Sequence, residues 1–234
     1  MVVSVEPHEK FKGVYWVVYE DGSKRLATLN MDPGFKVYGE PLVKYKGEEY
    51  RVWNPYRSKL AASILNGLDY IPIGPSSKVL YLGASTGTTA SHVSDIVGSN
   101  GIVYAVEFAP RVMRVFLENC AKRRPNIVPI YDDATKPENY LSLLDEVDVI
   151  YCDIAQPQQA KPLADNADLY LRKDGGILLA IKARSIDVTL EPSEAYKAEM
   201  SVLENRGFNI RKVVHLEPYD KDHAMVAAIF KKCR

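Results

Sequence analysis

Glutamine is almost missing from this chain: Gln156, Gln158 and Gln159 are the only three, all in one short stretch. Cysteine is sparse too, and Cys120, Cys152 and Cys233 follow no metal-ligand or disulfide spacing. Cys120 and Cys152 sit in apolar runs, which points to buried thiols in a reducing, cytoplasmic setting rather than to a stapled secreted fold. No apolar run is long enough to cross a bilayer, and the first residues carry no signal-peptide core. Neither sign of charge is in excess, since 30 basic residues balance 30 acidic ones. This excludes a chain that clings to nucleic acid unaided over its whole surface, but leaves room for a local basic face or for RNA delivered by partners. His8, His92, His215 and His223 show no ligand spacing, so no metal site is expected. Few glutamines together with 26% charged residues is a composition that thermophiles favour. The clustering of the glutamines predicts that their loop has a task.

What is present suffices for one large domain with a small appendage: 234 residues, 47% of them hydrophobic. Residues 1–54 read as a small β-hairpin domain. Val14–Tyr19 and Lys24–Leu29 flank an Asp21-Gly22 turn, and Leu42–Tyr45 and Glu48–Trp53 flank Lys46-Gly47. A segment this small has little core of its own and should pack on the rest of the chain or on a partner. Asn54-Pro55 reads as a helix start, with Ser58–Leu65 at helical spacing and Gly67 as the stop.

From there to residue 234 the pattern alternates. Strands are expected at Lys78–Leu82, Ile102–Val106, Ile127–Tyr131, Val147–Cys152 and Gly176–Ile181. Helices are expected at Thr88–Val97, Pro110–Arg123, Ala160–Leu171 and Ser193–Asn205. Short, continuously apolar strands between helices imply an α/β fold, a mostly parallel sheet covered on both faces. Phe208–Leu216 and Ala224–Phe230 are joined too tightly for a helical crossover, so this last pair should be antiparallel.

The strongest motif is Val79–Thr89, VLYLGASTGTT, followed by a strand ending on Glu107. An apolar strand, a small-residue turn, a helix and an acid after the next strand lay out a nucleotide-cofactor half-site. Gly83 to Gly87 spells G-x-x-x-G rather than G-x-G-x-x-G, with Ser85 where a pyrophosphate needs glycine. That argues against a nicotinamide-dependent oxidoreductase. A cofactor with a ribose but no pyrophosphate fits better, and S-adenosylmethionine is the common one. Successive strand ends then carry Glu107-Phe108, Asp132-Asp133-Ala134, Asp153 to Gln156, and Lys182. On position alone, Lys182 is equally a snorkelling lysine or a partly desolvated neighbour of Asp153. Lys59, one turn into its helix, is by itself an ordinary solvated lysine, and an isolated His223 is more often structural. Lys122-Arg123-Arg124, at a helix end, is accounted for by the helix dipole.

Taken together, WNPYRSKLAA, VLYLGASTGTTASHVSDIVG, GIVYAVEFAPR, DVIYCDIAQPQQ, the IKAR strand end and LEPYDKDHAMV resemble the fibrillarin family in its archaeal form. The resemblance runs from Trp53 almost to the C-terminus, and the chain opens with the short β module of archaeal members. It implies a Rossmann-like S-adenosylmethionine-dependent methyltransferase domain over residues 55–234. It also implies methylation of ribose 2′-hydroxyls in rRNA and tRNA, as the catalytic subunit of a C/D box ribonucleoprotein.

Cofactor contacts are implied at Gly83, Ala84 and Gly87 in the turn, Thr88, Thr89, Glu107, Phe108, Asp133, Ala134, Asp153, Ile154, Ala155 and Gln156. A further likeness, to ribose methyltransferases with a Lys-Asp-Lys tetrad, implies catalytic roles for Lys59, Asp153 and Lys182, with His223 in the fourth place. Lys182 would be the base. The implied partners are a Nop-domain scaffold protein, a kink-turn-binding ribosomal-type protein, the C/D box guide RNA and its target. A non-catalytic subunit of the same particle, or methylation of a protein glutamine, are the alternatives.

Overall fold

The computed structural model describes residues 1–187, 189 and 191–231; Cys233 lies outside the described residues. The N-terminal strands are β1 (Val2–Pro7), β2 (Val14–Tyr19), β3 (Lys24–Leu29), β4 (Leu42–Tyr45) and β5 (Glu48–Val52). They form a five-stranded antiparallel sheet in the order β1-β2-β3-β5-β4. β1 was not anticipated from the sequence; its residues are half-exposed and it is held by its ladder to β2.

The larger part of the chain runs α1 (Lys59–Leu65), β6 (Lys78–Leu82), α2 (Thr88–Val97), β7 (Ile102–Val106), α3 (Pro110–Asn119) and β8 (Ile127–Ile130). It continues through β9 (Val147–Cys152), α4 (Ala160–Tyr170), β10 (Leu171–Lys182), α5 (Ala183–Ile186), α6 (Pro192–Asn205), β11 (Phe208–His215) and β12 (His223–Phe230). Its seven strands order β11-β12-β10-β9-β6-β7-β8. The strands from β8 to β10 are parallel to their neighbours, and β12 is antiparallel to both β10 and β11. This is the expected α/β sheet with its antiparallel end. Both faces are buried with a period of two. Tyr81, Val103, Tyr151 and Leu178 face α2 and the N-terminal sheet, while Leu80, Tyr104, Ile150 and Leu179 face the α4–α6 side. Among the described residues no helix is long and apolar enough to cross a membrane.

Several sequence expectations need correction. Asn54-Pro55 does not begin a helix. Asn54 Oδ1 accepts the Tyr56 amide at 2.9 Å and closes a turn, and α1 starts four residues later with Ser58 as its cap. Lys59 is therefore the first helical residue, not one turn in. The helix expected over Pro110–Arg123 stops at Asn119, and a 3₁₀ turn over Ala121–Arg123 follows. α4 ends at Tyr170, and Leu171 already belongs to β10, where it pairs with Val147.

The dipole account of Lys122-Arg123-Arg124 fails for two of its residues. Arg124 is 1% exposed and paired with Asp95 at 2.5 Å. Arg123 pairs with Asp32 at 2.5 Å and lies over the Phe35 ring, so the turn after α3 is tied to α2 by Arg124 and to the N-terminal segment by Arg123.

A buried polar network joins the N-terminal sheet to α2. Arg51, fully buried on β5, pairs with Glu40 at 2.6 Å and with Asp95 at 2.8 Å, and donates to Ser91 Oγ. Thr28 Oγ1 donates to Asp95 at 2.7 Å, and the buried His92 ring meets Thr28 and Tyr38 hydroxyls at its two nitrogens. Two guanidinium groups face two carboxylates, so charge balances inside the joint. Burial, reinforced by Arg51 and Arg124, holds the His92 imidazole well below its ordinary pKa, in the neutral form.

Candidate active site

Order in the parallel strands reverses between β6 and β9, and at such a point the carboxyl ends of the strands open a crevice. Here the crevice is a cleft of about 240 Å³. Its walls include Gly83, Glu107, Phe108, Asp133, Ala134, the run Asp153 to Gln156, and Lys182, and also Ser85, Val106, Asp132 and Thr135. Ala84, Gly87, Thr88 and Thr89 do not line it.

The turn before α2 is built for packing as much as for access. Gly83 has φ +82°, and a Cβ there would stand 2.8 Å from the Asp153 carbonyl oxygen. At Gly87, φ +95°, a Cβ would meet the Cys120 side chain at 2.8 Å. The glycine spacing that suggested a ligand turn is thus required by the β6–β9 and α2–α3 contacts. Ser85 sits at φ +51° and donates its amide to Glu107 Oε2 at 3.0 Å. Glu107 Oε1 accepts the Ala109 amide at 2.9 Å, so this buried acid is fixed at the cleft wall by main-chain donors on both oxygens.

Thr89 is buried, and its hydroxyl donates to Ser58 Oγ at 2.9 Å. Ser58 Oγ in turn accepts the Ala61 amide, so Thr89 fixes the start of α1 and with it Lys59.

At the floor of the cleft Asp153 gathers two lysines. Lys182 Nζ is 2.8 Å from Asp153 Oδ1 and donates to the Asp153 carbonyl at 3.0 Å. Lys59 Nζ lies 3.3 Å from Oδ1 and 3.4 Å from Oδ2 of the same carboxylate. His223 faces Lys182 across the β10–β12 ladder. The four residues implied as a tetrad therefore converge, but through a fifth that sequence reasoning missed. Asp220 bridges Lys59, at 3.6 Å, and His223 Nδ1, at 3.0 Å.

Burial alone would lower Lys59, yet the carboxylates of Asp153 and Asp220 outweigh it and hold the ammonium above its ordinary pKa. Burial would raise Asp220, but His223 and Lys59 overcome it and keep the carboxyl below its usual range. His223 Nδ1 lies within reach of two acceptors, Asp220 and the Lys221 carbonyl at 2.6 Å, which places a proton on Nδ1. Cys152, next to Asp153, is pushed up to about 12 by burial and stays an inert thiol.

Gln159 was also missed as a site residue, although its loop stood out. Its side chain is fully buried. Oε1 accepts the Lys182 amide at 2.8 Å, and Nε2 donates to the carbonyls of Lys182 and Gln156 at 3.1 and 3.0 Å. One amide thus spans the fourth and fifth strand ends. Glu199, from α6, accepts the Gln159 amide at 2.9 Å and caps the start of α4.

The arrangement can bind a polar, cationic nucleoside and deprotonate a hydroxyl beside it. Glu107 and Asp133 offer acceptors suited to ribose hydroxyls or an amino group, and Asp153 favours a positive charge nearby. A lysine at the edge of such a cleft accepts a proton from a neighbouring alcohol as the neutral amine, and its acid neighbour then holds the ammonium that forms.

Comparison with known proteins agrees on one family. The fibrillarin family model matches residues 5–232. A fibrillarin-like rRNA/tRNA 2′-O-methyltransferase of Staphylothermus marinus is 60% identical over 99% of this chain and 98% of its own. Aeropyrum pernix fibrillarin, solved with natively bound S-adenosyl-L-methionine, superposes with a TM-score of 0.91 at 55% identity, covering 97% of this chain and 99% of that one. The chain solved in a fibrillarin/Nop5p complex gives 0.82 at 40% identity, covering 96% and 100%.

Proposed function

The chain belongs to the fibrillarin family, and from that premise we propose that it methylates ribose 2′-hydroxyls of rRNA and tRNA with S-adenosylmethionine. The observation that carries the reading is the convergence of Lys59 and Lys182 on Asp153, at the floor of a cleft walled by Glu107 and Asp133. The residues fit the cofactor. Glu107 has backbone-fixed oxygens at the place a ribose would occupy, and the carboxylates around the cleft suit a sulfonium and an amino group. When bound, the cofactor supplies an already activated methyl group.

The chain's own residues then have two tasks, alignment and proton removal. Lys182, as the neutral amine, takes the hydroxyl proton and becomes the ammonium that pairs with Asp153. Lys59, its proton held by two carboxylates, stays cationic and orients the ribose oxygen, while Asp220 positions His223 beside Lys182. Alignment of two bound reactants is worth up to ~7–11 kcal/mol, and a placed base adds about 10²–10⁴-fold.

The relative seen with Nop5p supports a Nop-domain scaffold as partner. A kink-turn-binding protein and a C/D box guide RNA complete the proposed assembly, which chooses the nucleotide and explains why the chain carries no net charge. Division into residues 1–54 and 55–234 follows the two sheets. The deciding experiment is mass spectrometry of a guided target RNA after incubation with the assembled complex and S-adenosylmethionine. A gain of one methyl on the guided ribose is expected; an unmodified target, with the cofactor bound, would refute the assignment.

A further inference from the structure

A second concavity, of about 480 Å³, lies between the N-terminal sheet and α1. Lys24, Arg25, Trp53, Tyr56, Leu65 and Tyr219 are among its walls, and no carboxylate lines it. This is the reverse of the cofactor cleft, which is walled by Glu107, Asp132, Asp133 and Asp153. In a chain with no net charge, the cationic lining is a local feature.

Arg25, in the groove wall, and Arg57, which follows Tyr56 in the chain but does not itself line the groove, form no ion pair with any described residue. Arg25 lies over the Tyr19 ring at 5.4 Å and Arg57 over Tyr38 at 5.9 Å, contacts that leave the guanidinium donors available. Tyr56 is 67% exposed, and its ring meets Tyr219 edge to face at 5.1 Å.

The position matters as much as the chemistry. Tyr56 precedes Lys59 by three residues, and Tyr219 is followed directly by Asp220, which contacts both Lys59 and His223. The groove is therefore continuous in chain with two elements of the reaction centre. β5 pairs with β3 only from Ala27 onward, so the backbone of Lys24 and Arg25 has a free edge on that side.

We propose that this groove holds the RNA strand flanking the reacting ribose, with the Tyr56–Tyr219 edge stacking on a base and Arg25 and Arg57 facing its phosphates. The inference rests on the function proposed above and extends it to the substrate. A stacked base costs no sequence specificity, because every base offers a π-face; guanidinium contacts to phosphate likewise carry no sequence information. Both properties suit an enzyme whose target is chosen elsewhere. A protein segment adding a strand at the free edge of β3 is the other occupant the groove could take.

The test uses the assembled complex with target RNA carrying 4-thiouridine beside the methylated position. Irradiation should join the RNA to peptides containing Tyr56 or Tyr219. Tyr56→Ala, and separately the double change Arg25→Glu with Arg57→Glu, should raise KM for target RNA about 10-fold, whereas Tyr56→Phe should not. Calorimetry of the same variants with S-adenosylmethionine checks that the fold is intact. Crosslinks confined to other surfaces with unchanged KM, or a groove crosslinked to a protein subunit instead, would overturn the groove while leaving methyl transfer standing. Absence of methyl transfer by the wild-type complex would remove the function itself, and this inference with it.

Discussion

Lys182 and Gln159 form the smallest unit of the proposed chemistry. The lysine side chain reaches Asp153, and its main chain is clamped on both polar groups by one buried amide. We expect Lys182→Ala to keep affinity for S-adenosylmethionine while lowering single-turnover methyl transfer by about 10²–10⁴-fold. Calorimetry and rapid quench on the guided complex would check both halves.

Gln159→Leu should act indirectly. It leaves the Lys182 amide and carbonyl unpaired in a buried place, and a small displacement of a reacting group can cost about 10²-fold. The drop should fall mainly on kcat. A loss that falls on KM with kcat unchanged would argue against a positioning role. Gln159 was half legible in the sequence. The rarity of glutamine marked its loop, but its hydrogen bonds depend on the approach of β10, 23 residues away. Asp220 stood in plain view in the LEPYDKDHAMV stretch and could not be assigned, because its partner Lys59 opens α1, far away along the chain.

At the scale of elements, the joint between β5 and α2 dominates. Arg51→Met leaves Glu40 and Asp95 buried without their shared cation, a loss of about 3–5 kcal/mol where one partner of a buried pair is removed. A fall in the urea midpoint with little change in slope is the expected result. Replacing Arg51 and Glu40 together with apolar residues, which leaves Asp95 paired with Arg124, should be milder than the single change.

Elements were read well where burial is symmetrical. β6, β7 and β9 fall where expected because strands covered on both faces are apolar throughout. Reading failed where a local signal had a nonlocal rival. Asn54-Pro55 carries every mark of a helix start, but Ser58, stabilised by Thr89 from another helix, is the cap that forms. Arg124 reads as a helix-end cation until Asp95 is brought beside it.

For the whole molecule, the joint makes stability depend on pH. The folded His92 pKa is depressed, so below about 6.5 the unfolded chain binds a proton that the folded chain refuses. Stability is therefore full above that pH and declines as the pH falls. The loss from this residue grows as the pH falls further below that value. Glu40, also depressed in the folded state, adds a further loss only at lower pH, in the carboxylate range. Thermal melts from pH 7.5 to 5 should show the decline, and His92→Gln should flatten it. An unaltered slope in that variant would mean that another group carries the effect.

Asp153 has a consequence for how any variant of this protein is read. Its carbonyl and its carboxylate are held by the same lysine, its second cation comes from α1, and its backbone closes against Gly83. In the proposed reaction, donor grip and acceptor activation thus share a single hinge pin. A lesion at residue 153 will register as weaker affinity and slower turnover at once, and the two phenotypes cannot be genetically uncoupled there.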